Sequence, residues 1–255
     1  MQVIIIGAGR GARLMPTTAD SPKCFAEVED RRIIDWTVEA FRENGIENIC
    51  FIGGYRIEKV RETFPDFDFR HNVNWEYNNI LASLFYAEDL MDAPFISCYS
   101  DTLITPQAVE SVLAANTDIA LSIDTDWLPR YSNRNQHPSD DAEKVTVTDG
   151  LITRIHRSIE EQHAHGEFTG MVKFSAQGAV QLKEAYHRCM EASGDGPFRE
   201  ADCFEKAYLI HLFQDMLEAG AHMSPAETPG GYIEIDTQED LDYARKHWRT
   251  KHLGK

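Results

Sequence analysis

Residues 3–23 read VIIIGAGRGARLMPTTADSPK, and this stretch decides the fold class. Its first four residues are apolar and have the length of a buried strand, and a glycine-rich turn follows at once. Glycines have no Cβ, so the backbone of such a turn can approach phosphate oxygens closely and point its N–H groups at them. Three basic side chains bring positive charge to the same region: Arg10, Arg13 and Lys23. The stretch therefore predicts a strand followed by a binding site for a nucleoside triphosphate.

The rest of the chain alternates between strand and helix patterns. Further apolar runs of strand length occupy residues 49–52, 95–99, 119–123, 145–147 and 171–174. Helical periodicity covers residues 33–43, 57–63, 80–91, 106–115, 176–192, 203–219 and 238–248. Strands that alternate with helices predict a mostly parallel sheet covered on both faces, with the ligand beyond the carboxyl ends of the strands. We therefore expect an α/β fold of three layers, with the ligand at the glycine turn.

A glycine cluster after a strand also begins dinucleotide-binding domains, so an NAD(P)-dependent oxidoreductase is the alternative. That fold places an acidic residue at the end of its second strand, where it binds the ribose hydroxyls. Here the apolar run 49–52 ends in Gly-Gly-Tyr. A dinucleotide turn also has no use for the arginines of the turn or for the Pro-Lys pair at 22–23. These differences favour a binding site for a nucleoside triphosphate over a dinucleotide-binding site.

The composition is that of one large domain in a reducing compartment. With 255 residues, 42% of them apolar, the chain can bury a sizeable core, and we expect a single domain over residues 1–255. No run approaches the roughly 18 apolar residues of a membrane span, and the first residues lack the basic segment of a secretion signal. The five cysteines form no C-x-x-C pair and lie inside periodic segments. They indicate free thiols in the core of a cytoplasmic protein without a membrane partner.

The net charge of −17 argues against nucleic acid as a partner, because binding to a duplex depends on clustered Lys and Arg. An acidic protein with an anionic substrate has to concentrate its positive charge locally. The first 25 residues do so, with three basic side chains against one acidic side chain. The expected partners are therefore small molecules, and the sequence leaves the oligomeric state open between a monomer and a homodimer.

Two polar segments interrupt the alternation of strands and helices. Residues 124–142 read DTDWLPRYSNRNQHPSDDA and are rich in turn-forming and aromatic residues, and residues 157–167 form the second segment. Long loops in compact domains are usually functional lids, so we expect residues 124–170 to be an insert that binds or covers a ligand. An exposed, mobile hairpin is the alternative for the second segment.

Two aspartates follow predicted strands and are candidate metal ligands. Asp101 follows the buried run 95–99, and Asp236 ends the short strand pattern GYIEID at 231–236. Transfer from a nucleoside triphosphate needs a divalent cation to neutralise the phosphates, and such hard ions prefer carboxylate oxygens. Both aspartates also have an ordinary structural explanation, since strand ends are often acidic and Asp236 can cap the helix that follows it.

The turn resembles the G-x-G-x-R-L…P-K signature of the nucleotidyltransferases that activate sugar phosphates and related phosphate esters. In that family an aspartate after a strand and a second one in a late I-D-T/S-x-E-D-L segment hold Mg²⁺. Asp101 and the sequence IDTQEDL at 235–241 match both, in that order. The resemblance implies a Rossmann-like, nucleotide-diphospho-sugar transferase-like fold with a mixed, mostly parallel sheet, in which Asp101 and Asp236 bind Mg²⁺. It also implies that Arg13 and Lys23 are the catalytic residues, which stabilise the charge of the triphosphate.

Further segments narrow the resemblance to cytidylyltransferases. NWEYNNILASL at 74–84 is similar to the segment that frames the pyrimidine in bacterial phosphocholine cytidylyltransferases, although Asn79 can also simply cap a helix. The segments 126–145, 166–170 and 230–236 resemble most closely the cytidylyltransferases of phosphonate biosynthesis. The residues expected to bind the nucleotide are Gly7, Ala8, Gly9, Arg10, Gly11, Asn79 and Ser83.

The resemblance implies an Mg²⁺-dependent enzyme that transfers CMP from CTP to a small phosphonate or phosphate ester, such as 2-aminoethylphosphonate, and releases pyrophosphate. Phosphocholine cytidylyltransferase and hexose-1-phosphate nucleotidyltransferase are the alternatives. The acceptor's own anion needs a cation from the insert 124–170, and Arg134 and Lys144 are the candidates, although a surface salt bridge explains either as well. His137 is a candidate donor to phosphate, although a histidine before a proline in a polar segment is typical of an exposed side chain.

The chemistry of the acceptor stays open at the level of sequence. A quaternary ammonium would favour an aromatic cage, and the rings available are Trp127, Tyr131 and Phe168. A primary amine would favour carboxylates, and those available are Asp124, Asp126, Asp140, Asp141 and Glu143. The sequence does not say which of these side chains point inward.

Overall fold

The computed structural model describes residues 1–132 and 134–252, with side chains as far as Arg249. The strands in these ranges are β1 (Gln2–Gly7), β2 (Glu27–Val28), β3 (Arg31–Arg32), β4 (Asn48–Gly53), β5 (Asp68–His71), β6 (Phe95–Tyr99), β7 (Thr102–Ile104), β8 (Ile119–Asp124), β9 (Lys144–Thr148), β10 (Leu151–Ile155), β11 (Gly166–Phe174), β12 (Met223–Glu227) and β13 (Tyr232–Glu234). The helices are α1 (Ile33–Glu43), α2 (Ile57–Thr63), α3 (Ile80–Leu84), α4 (Pro106–Ala114), α5 (Leu128–Tyr131), α6 (Ala176–Ser193), α7 (Leu209–Glu218) and α8 (Gln238–His252). Within the described ranges, no helix combines the length and the apolar character that a membrane span requires.

A mixed sheet forms the middle layer. Its order is β10-β9-β11-β6-β1-β4-β5, and β8 also pairs with β11 and carries β12 on its other side. Strand β1 pairs in parallel with β4 and β6, whereas β11 is antiparallel to β6, β8 and β9. The carboxyl ends of β1, β4 and β6 therefore lie at one edge of the sheet, where parallel α/β sheets bind their ligands.

Helices cover both faces of the sheet, and β1 shows how the sequence specifies this. Its side chains alternate between the faces: Ile4 and Ile6 pack in the core formed with α3, α6 and α7. Val3 and Ile5 pack in the opposite core, formed with α1, α2 and α4. All four side chains are buried, so a continuous apolar run is the signature of a strand covered on both sides. The α/β fold of three layers expected from the sequence is confirmed.

The predicted strands and helices are present, with differences at their ends. Helices α1 and α2 have the predicted bounds. The helix predicted over 80–91 ends at Leu84 and continues as a 3₁₀ segment to Leu90, and α7 begins at Leu209 rather than at 203. The apolar pattern does not predict six short strands: β2, β3, β5, β7, β10 and β12. They are too short or too polar to show an apolar run.

The insert predicted over 124–170 is folded into the protein and is not a polar loop. Arg130 is buried between two carboxylates: its Nη1 donates to Asp124, and its Nη2 donates to Glu167 Oε2 at 2.6 Å. Asp124 Oδ1 in turn accepts a hydrogen bond from Gly230 N at 2.7 Å. This network joins the insert to β11 and to the loop before β13. A division of the chain into a single domain with a ligand-binding insert remains a prediction.

The antiparallel pair of β7 and β13 brings together the two predicted metal ligands. Glu234 pairs with Thr102 across the two strands, and Ile235 N donates to Asp101 O at 3.0 Å. Asp101 precedes β7 and Asp236 follows β13, so both lie at the same end of the pair. Two residues far apart in the sequence thus become neighbours beside the glycine turn.

Candidate active site

A cavity of about 570 Å³ lies at the carboxyl ends of β1 and β6. Its volume is within the range of sites that bind small molecules and cofactors. Ten residues of the predicted site line it: Gly7, Ala8, Gly9, Gly11, Arg13, Lys23, Asn79, Ser83, Asp101 and Asp236. The fold thus brings the nucleotide, catalytic and metal candidates into one cavity, and their individual roles remain predictions.

Lys23 joins the two candidate metal ligands. Its Nζ donates to Asp101 Oδ2 at 2.6 Å and also to Asp236 Oδ1. Arg13 Nη2 donates to the other oxygen of Asp236, Oδ2, at 2.6 Å. The Lys23 side chain is only 11% exposed, whereas that of Arg13 is 56% exposed. The centre of this cluster is therefore largely removed from water, and Arg13 connects it to the solvent.

The surrounding charges keep the ammonium of Lys23 protonated. Burial alone lowers the pKa of Lys23, but the carboxylates of Asp101 and Asp236 more than offset this and raise it above its ordinary value. Burial raises the pKa of Asp236, and Lys23 and Arg13 reverse that effect, so the net pKa is lowered. The opposite holds for Glu234, whose pKa is well above its usual range because of burial and of the two neighbouring aspartates. A fixed positive charge therefore faces the cavity at neutral pH.

Gly11 gives Lys23 the room to reach this position. Its φ of 66° lies in the left-handed region, which favours glycine. A Cβ at this position would also lie 2.9 Å from three carbons of the Lys23 side chain. Thr18 holds the turn in place, because its Oγ1 donates to Gly11 O at 2.8 Å. The glycine thus serves both the turn and the packing of the candidate catalytic lysine.

The two aspartates fit a divalent cation. Asp101 Oδ1 is buried and has no hydrogen-bond partner among the described residues, so one carboxylate oxygen is free to act as a ligand. Carboxylate oxygens are the ligands that Mg²⁺ and similar hard ions prefer. The Lys23 ammonium bonds to both carboxylates. A cation that binds there has to compete with this ammonium.

Amides and a hydroxyl line another part of the cavity. Asn79 caps α3, because its Oδ1 accepts a hydrogen bond from Ile80 N at 2.8 Å. Ser83 Oγ donates to Asn79 O and accepts from Asn72 Nδ2, both at 2.9 Å. Asn72 is fully buried and also bonds to Asn78, which lines the cavity. Asn79 Nδ2 also donates to Lys206 O at 3.1 Å, so Asn79 both caps the helix and lines the cavity, and its binding to a base stays a prediction.

Three residues of the predicted site lie outside the cavity. Arg10 is exposed, and its guanidinium is 5.5 Å from the centre of the Tyr55 ring. Arg134 is buried, and its Nε donates to Asp240 Oδ1 at 2.7 Å. Lys144 Nζ donates to Ser139 O at 2.9 Å. Arg134 and Lys144 do not line the cavity, and their role in acceptor binding stays a prediction.

Arg157, which no sequence pattern marks, provides a cation on the cavity wall instead. Its Nη2 donates to Glu143 Oε1 at 3.1 Å, and its guanidinium lies 4.3 Å from the centre of the Tyr208 ring. Burial raises the pKa of Glu143, although Arg157 acts in the opposite direction. In the sequence Arg157 begins a polar segment that is typical of an exposed loop. Only the tertiary contact with Glu143 reveals its position.

The aromatic and acidic candidates divide between the cavity and the core. Phe168 lines the cavity, but Trp127 and Tyr131 pack with Ala142 in a separate buried cluster. The carboxylates on the wall, apart from the two aspartates bonded to Lys23, are Asp141, Glu143, Glu167 and Glu234. Asp124, Asp126 and Asp140 are absent from the wall. The sequence could have indicated Glu234, because every second residue of an extended segment points to the same side. Tyr232, Glu234 and Asp236 follow this spacing, and all three line the cavity.

His137 is buried, contrary to the expectation of an exposed side chain. It lines the cavity, and its Nδ1 lies 2.7 Å from Arg134 Nη2 and 3.2 Å from Asp240 Oδ2. The backbone N–H groups of Asn135 and Gln136 donate to Glu239. The first turn of α8 therefore holds this part of the insert against the cavity. This contact buries His137, and the polar sequence around it does not predict the contact.

Comparison with known proteins defines the class. The nucleotidyl transferase family model matches residues 2–81, which include the glycine turn and Lys23. Together with full-length similarity to a cytidylyltransferase, this match shows that the chain is an enzyme of the nucleotidyltransferase type. The resemblance seen in the turn is confirmed.

Individual relatives are similar over different lengths. The CTP:phosphoglutamine cytidylyltransferase of Campylobacter jejuni is 28% identical over 252 residues, which cover 95% of this chain and 98% of that protein. The 2-aminoethylphosphonate cytidylyltransferase of Lancefieldella rimae is 29% identical over 111 residues, or 42% of this chain and 45% of that protein. The solved CTP:phosphocholine cytidylyltransferase of Streptococcus pneumoniae has a TM-score of 0.71 at 19% identity and covers 96% of this chain and 97% of its own. The nucleotide-diphospho-sugar transferase-like fold is confirmed.

Proposed function

We propose that the chain is a cytidylyltransferase that transfers CMP from CTP to a small, amine-bearing phosphonate or phosphate ester. The observation that supports this most directly is the cluster of Lys23, Asp101 and Asp236 beside the glycine turn. The cluster combines a protonated ammonium, two carboxylates that can hold a divalent cation, and backbone N–H groups that can bind phosphate. Similarity to relatives that use CTP supports the choice of nucleotide.

In the proposed reaction an oxyanion of the acceptor attacks the α-phosphorus of CTP in line. The new P–O bond forms as the bond to pyrophosphate breaks, so no covalent intermediate with the enzyme is needed. Lys23 and Arg13 bind the triphosphate and stabilise the negative charge that builds up on it. Asp101 and Asp236 hold a divalent cation, which we propose to be Mg²⁺ and which neutralises phosphate charge. Catalysis then consists of positioning and charge neutralisation.

The contacts of the ligand-free cluster support an exchange of partners when substrates bind. Both Lys23 and Arg13 are bonded to Asp236 in the structure. Asp101 and Asp236 would hold a divalent cation, whose charge would replace that of Lys23 and Arg13 as their counter-charge. The two basic side chains are then free to turn to the phosphates, where their charge is needed.

For the acceptor we propose a primary amine as the second recognition group. Glu143 and Glu234 line the cavity, and a carboxylate can accept a charge-assisted hydrogen bond from an ammonium. Of the rings expected from the sequence for a cage around a quaternary ammonium, Trp127 and Tyr131 pack away from the cavity. The aromatic side chains that do line it are Trp75, Tyr99, Phe168, Tyr208 and Tyr232. Arg157 replaces Arg134 and Lys144 as the proposed partner of the acceptor's anion. The insert 124–170 contributes Glu143 and Arg157, in keeping with a role in acceptor binding.

The proposal predicts that CTP is the preferred nucleotide. Pyrophosphate release in the presence of Mg²⁺ should be faster with CTP than with UTP, dTTP, ATP or GTP. The acceptor panel contains 2-aminoethylphosphonate, phosphocholine, phosphoglutamine and hexose 1-phosphates, and a reaction without acceptor serves as the control for hydrolysis. Fast release with UTP or dTTP and a hexose 1-phosphate would replace the proposal by a sugar-phosphate nucleotidyltransferase. NADPH binding without any response to CTP would favour the oxidoreductase.

Among the acceptors, 2-aminoethylphosphonate should give a higher kcat/KM with CTP than phosphocholine does. The two compounds differ in their ammonium groups, because the trimethylated nitrogen of phosphocholine has no N–H to donate to the glutamates, and they also differ in having a phosphonate or a phosphate ester. Steady-state kinetics of both acceptors with one enzyme preparation measure the ratio directly. A tenfold preference for phosphocholine, equivalent to about 1.4 kcal/mol, would contradict the assignment of a primary amine.

A further inference from the structure

A histidine and two carboxylates converge on the wall of the cavity. His137, Glu234 and Asp236 each offer one ligand atom, and these atoms lie within 4.8 Å of one another. The His137 side chain is 3% exposed, that of Glu234 is 20% exposed and that of Asp236 is 12% exposed. Glu234 and Asp236 share one side of the strand that ends beside the glycine turn. The cluster is therefore a small, shielded set of one nitrogen and two oxygen donors.

The orientation of His137 is set from behind by α8. Its Nδ1 lies 3.2 Å from Asp240 Oδ2, and that oxygen also accepts hydrogen bonds from the backbone N–H groups of Asp236 and Thr237. A histidine that binds a metal through one ring nitrogen usually donates its other N–H to a carboxylate, which fixes the ring and its tautomer. Asp240, His137 and the carboxylates in front of it have this arrangement.

The other ring nitrogen of His137 faces the cluster. Nε2 lies 3.8 Å from Glu234 Oε2, beyond hydrogen-bond distance, and no described residue forms a hydrogen bond with it. Nδ1 has two neighbours, Arg134 Nη2 and Asp240 Oδ2. Arg134 Nη2 can only donate, so it bonds to the tautomer in which Nδ1 carries no proton. Ionised Asp240 can only accept, so it bonds to the tautomer in which Nδ1 is protonated. A metal held by Nε2 would require the tautomer in which Nδ1 donates to Asp240, and Arg134 Nη2, which lies 2.6 Å from Asp240 Oδ1, would then donate to that oxygen and not to Nδ1.

We propose that His137, Glu234 and Asp236 bind a first-row transition-metal ion of the Mn²⁺ or Co²⁺ type. Mg²⁺ prefers oxygen ligands, whereas an imidazole nitrogen adds affinity for transition metals. The site shares Asp236 with the Mg²⁺ position of the proposed function and Glu234 with the carboxylates proposed for the acceptor's amine, and its binding of the ion can be measured without nucleotide or acceptor. It would make this enzyme accept Mn²⁺ or Co²⁺ more tightly than an enzyme that offers aspartates alone.

The test measures Mn²⁺ binding to the protein without nucleotide, by isothermal titration calorimetry and by electron paramagnetic resonance. His137→Gln should weaken Mn²⁺ binding at least tenfold and affect Mg²⁺ binding much less. Glu234→Gln should also weaken Mn²⁺ binding, which covers the case in which the buried His137 variant does not fold. His165→Gln is the matched control, because His165 pairs with Glu227 at 2.6 Å and does not line the cavity. In the wild-type protein, electron spin echo modulation should show a nitrogen directly coordinated to Mn²⁺.

The outcomes separate this proposal from the proposed function. Unchanged Mn²⁺ affinity in both folded variants, together with a loss of binding in Asp101→Asn, would overturn the histidine site and leave the metal with the two aspartates. Absence of nitrogen modulation in the wild-type protein would also overturn it. If binding depends on His137 but no nucleotide supports pyrophosphate release, the metal site stands and the proposed function fails.

Discussion

Asp101→Asn should lower kcat by roughly 10²- to 10³-fold, and Asp236→Asn should lower it at least as much. A divalent cation supplies several kcal/mol of charge stabilisation, and about 1.4 kcal/mol corresponds to a tenfold change in rate. An amide keeps the size of the carboxylate but removes the charge that attracts the cation. Asp236 also holds Lys23 and Arg13, so its loss disturbs two more groups. Removal of divalent ions with EDTA should abolish the activity of the wild-type enzyme.

Pyrophosphate release and thermal unfolding, measured side by side, separate lost chemistry from a lost fold. Asp92→Asn is the matched control, because Asp92 is 82% exposed and pairs with Lys183 outside the cavity. Its turnover should equal that of the wild type. If both cavity variants were folded and turned over at the wild-type rate, the aspartates would not hold the metal, and the proposed arrangement of the reaction would be wrong.

Most of the strands that could be predicted are buried on both faces, whereas β9 is buried only at its first two residues. Val3 to Ile6 form a continuous apolar run because helices cover both sides of β1, and the same holds for β6. Strand β5 reads DFRH and lies at the edge of the sheet, and β12 reads MSPAE. Such strands are specified by pairing with a neighbour and by burial of few side chains, so their sequences show no apolar pattern.

The part of the site that could be predicted lies where the chain leaves a predicted strand. Gly7, Asp101 and Asp236 all do so, and the fold brings strand ends to one edge. For residues inside the insert, the sequence shows the type of side chain but not whether it lines the cavity. Arg134 and Arg157 both lie in polar segments, yet one is neutralised by Asp240 and the other lines the cavity. Tertiary packing decides which of two similar arginines lines the cavity. The residue types in a polar segment do not indicate that packing.

Lys23→Ala should lower kcat by roughly 30- to 1,000-fold, a loss of about 2–4 kcal/mol of transition-state stabilisation, with a smaller effect on KM for CTP. A cation whose interaction strengthens as charge builds on the phosphates acts on kcat more than on binding. Because the neighbouring aspartates raise the pKa of Lys23, its ammonium stays charged throughout the neutral range, and the defect should not depend on pH there. Lys183→Ala, which removes a lysine outside the cavity, should have wild-type kinetics.

The same variant should bind a divalent cation more tightly than the wild type when no nucleotide is present. Lys23 bonds to both aspartates, so its ammonium competes with a cation for these oxygens. Removal of the ammonium also leaves two largely buried carboxylates without their main partner, which should lower the unfolding temperature until Mg²⁺ or Mn²⁺ is added. Calorimetric titration and thermal unfolding with and without the ion measure both effects. Unchanged kcat with a raised KM would show that Lys23 only binds CTP, and weaker cation binding would show that its ammonium does not occupy the place of the metal.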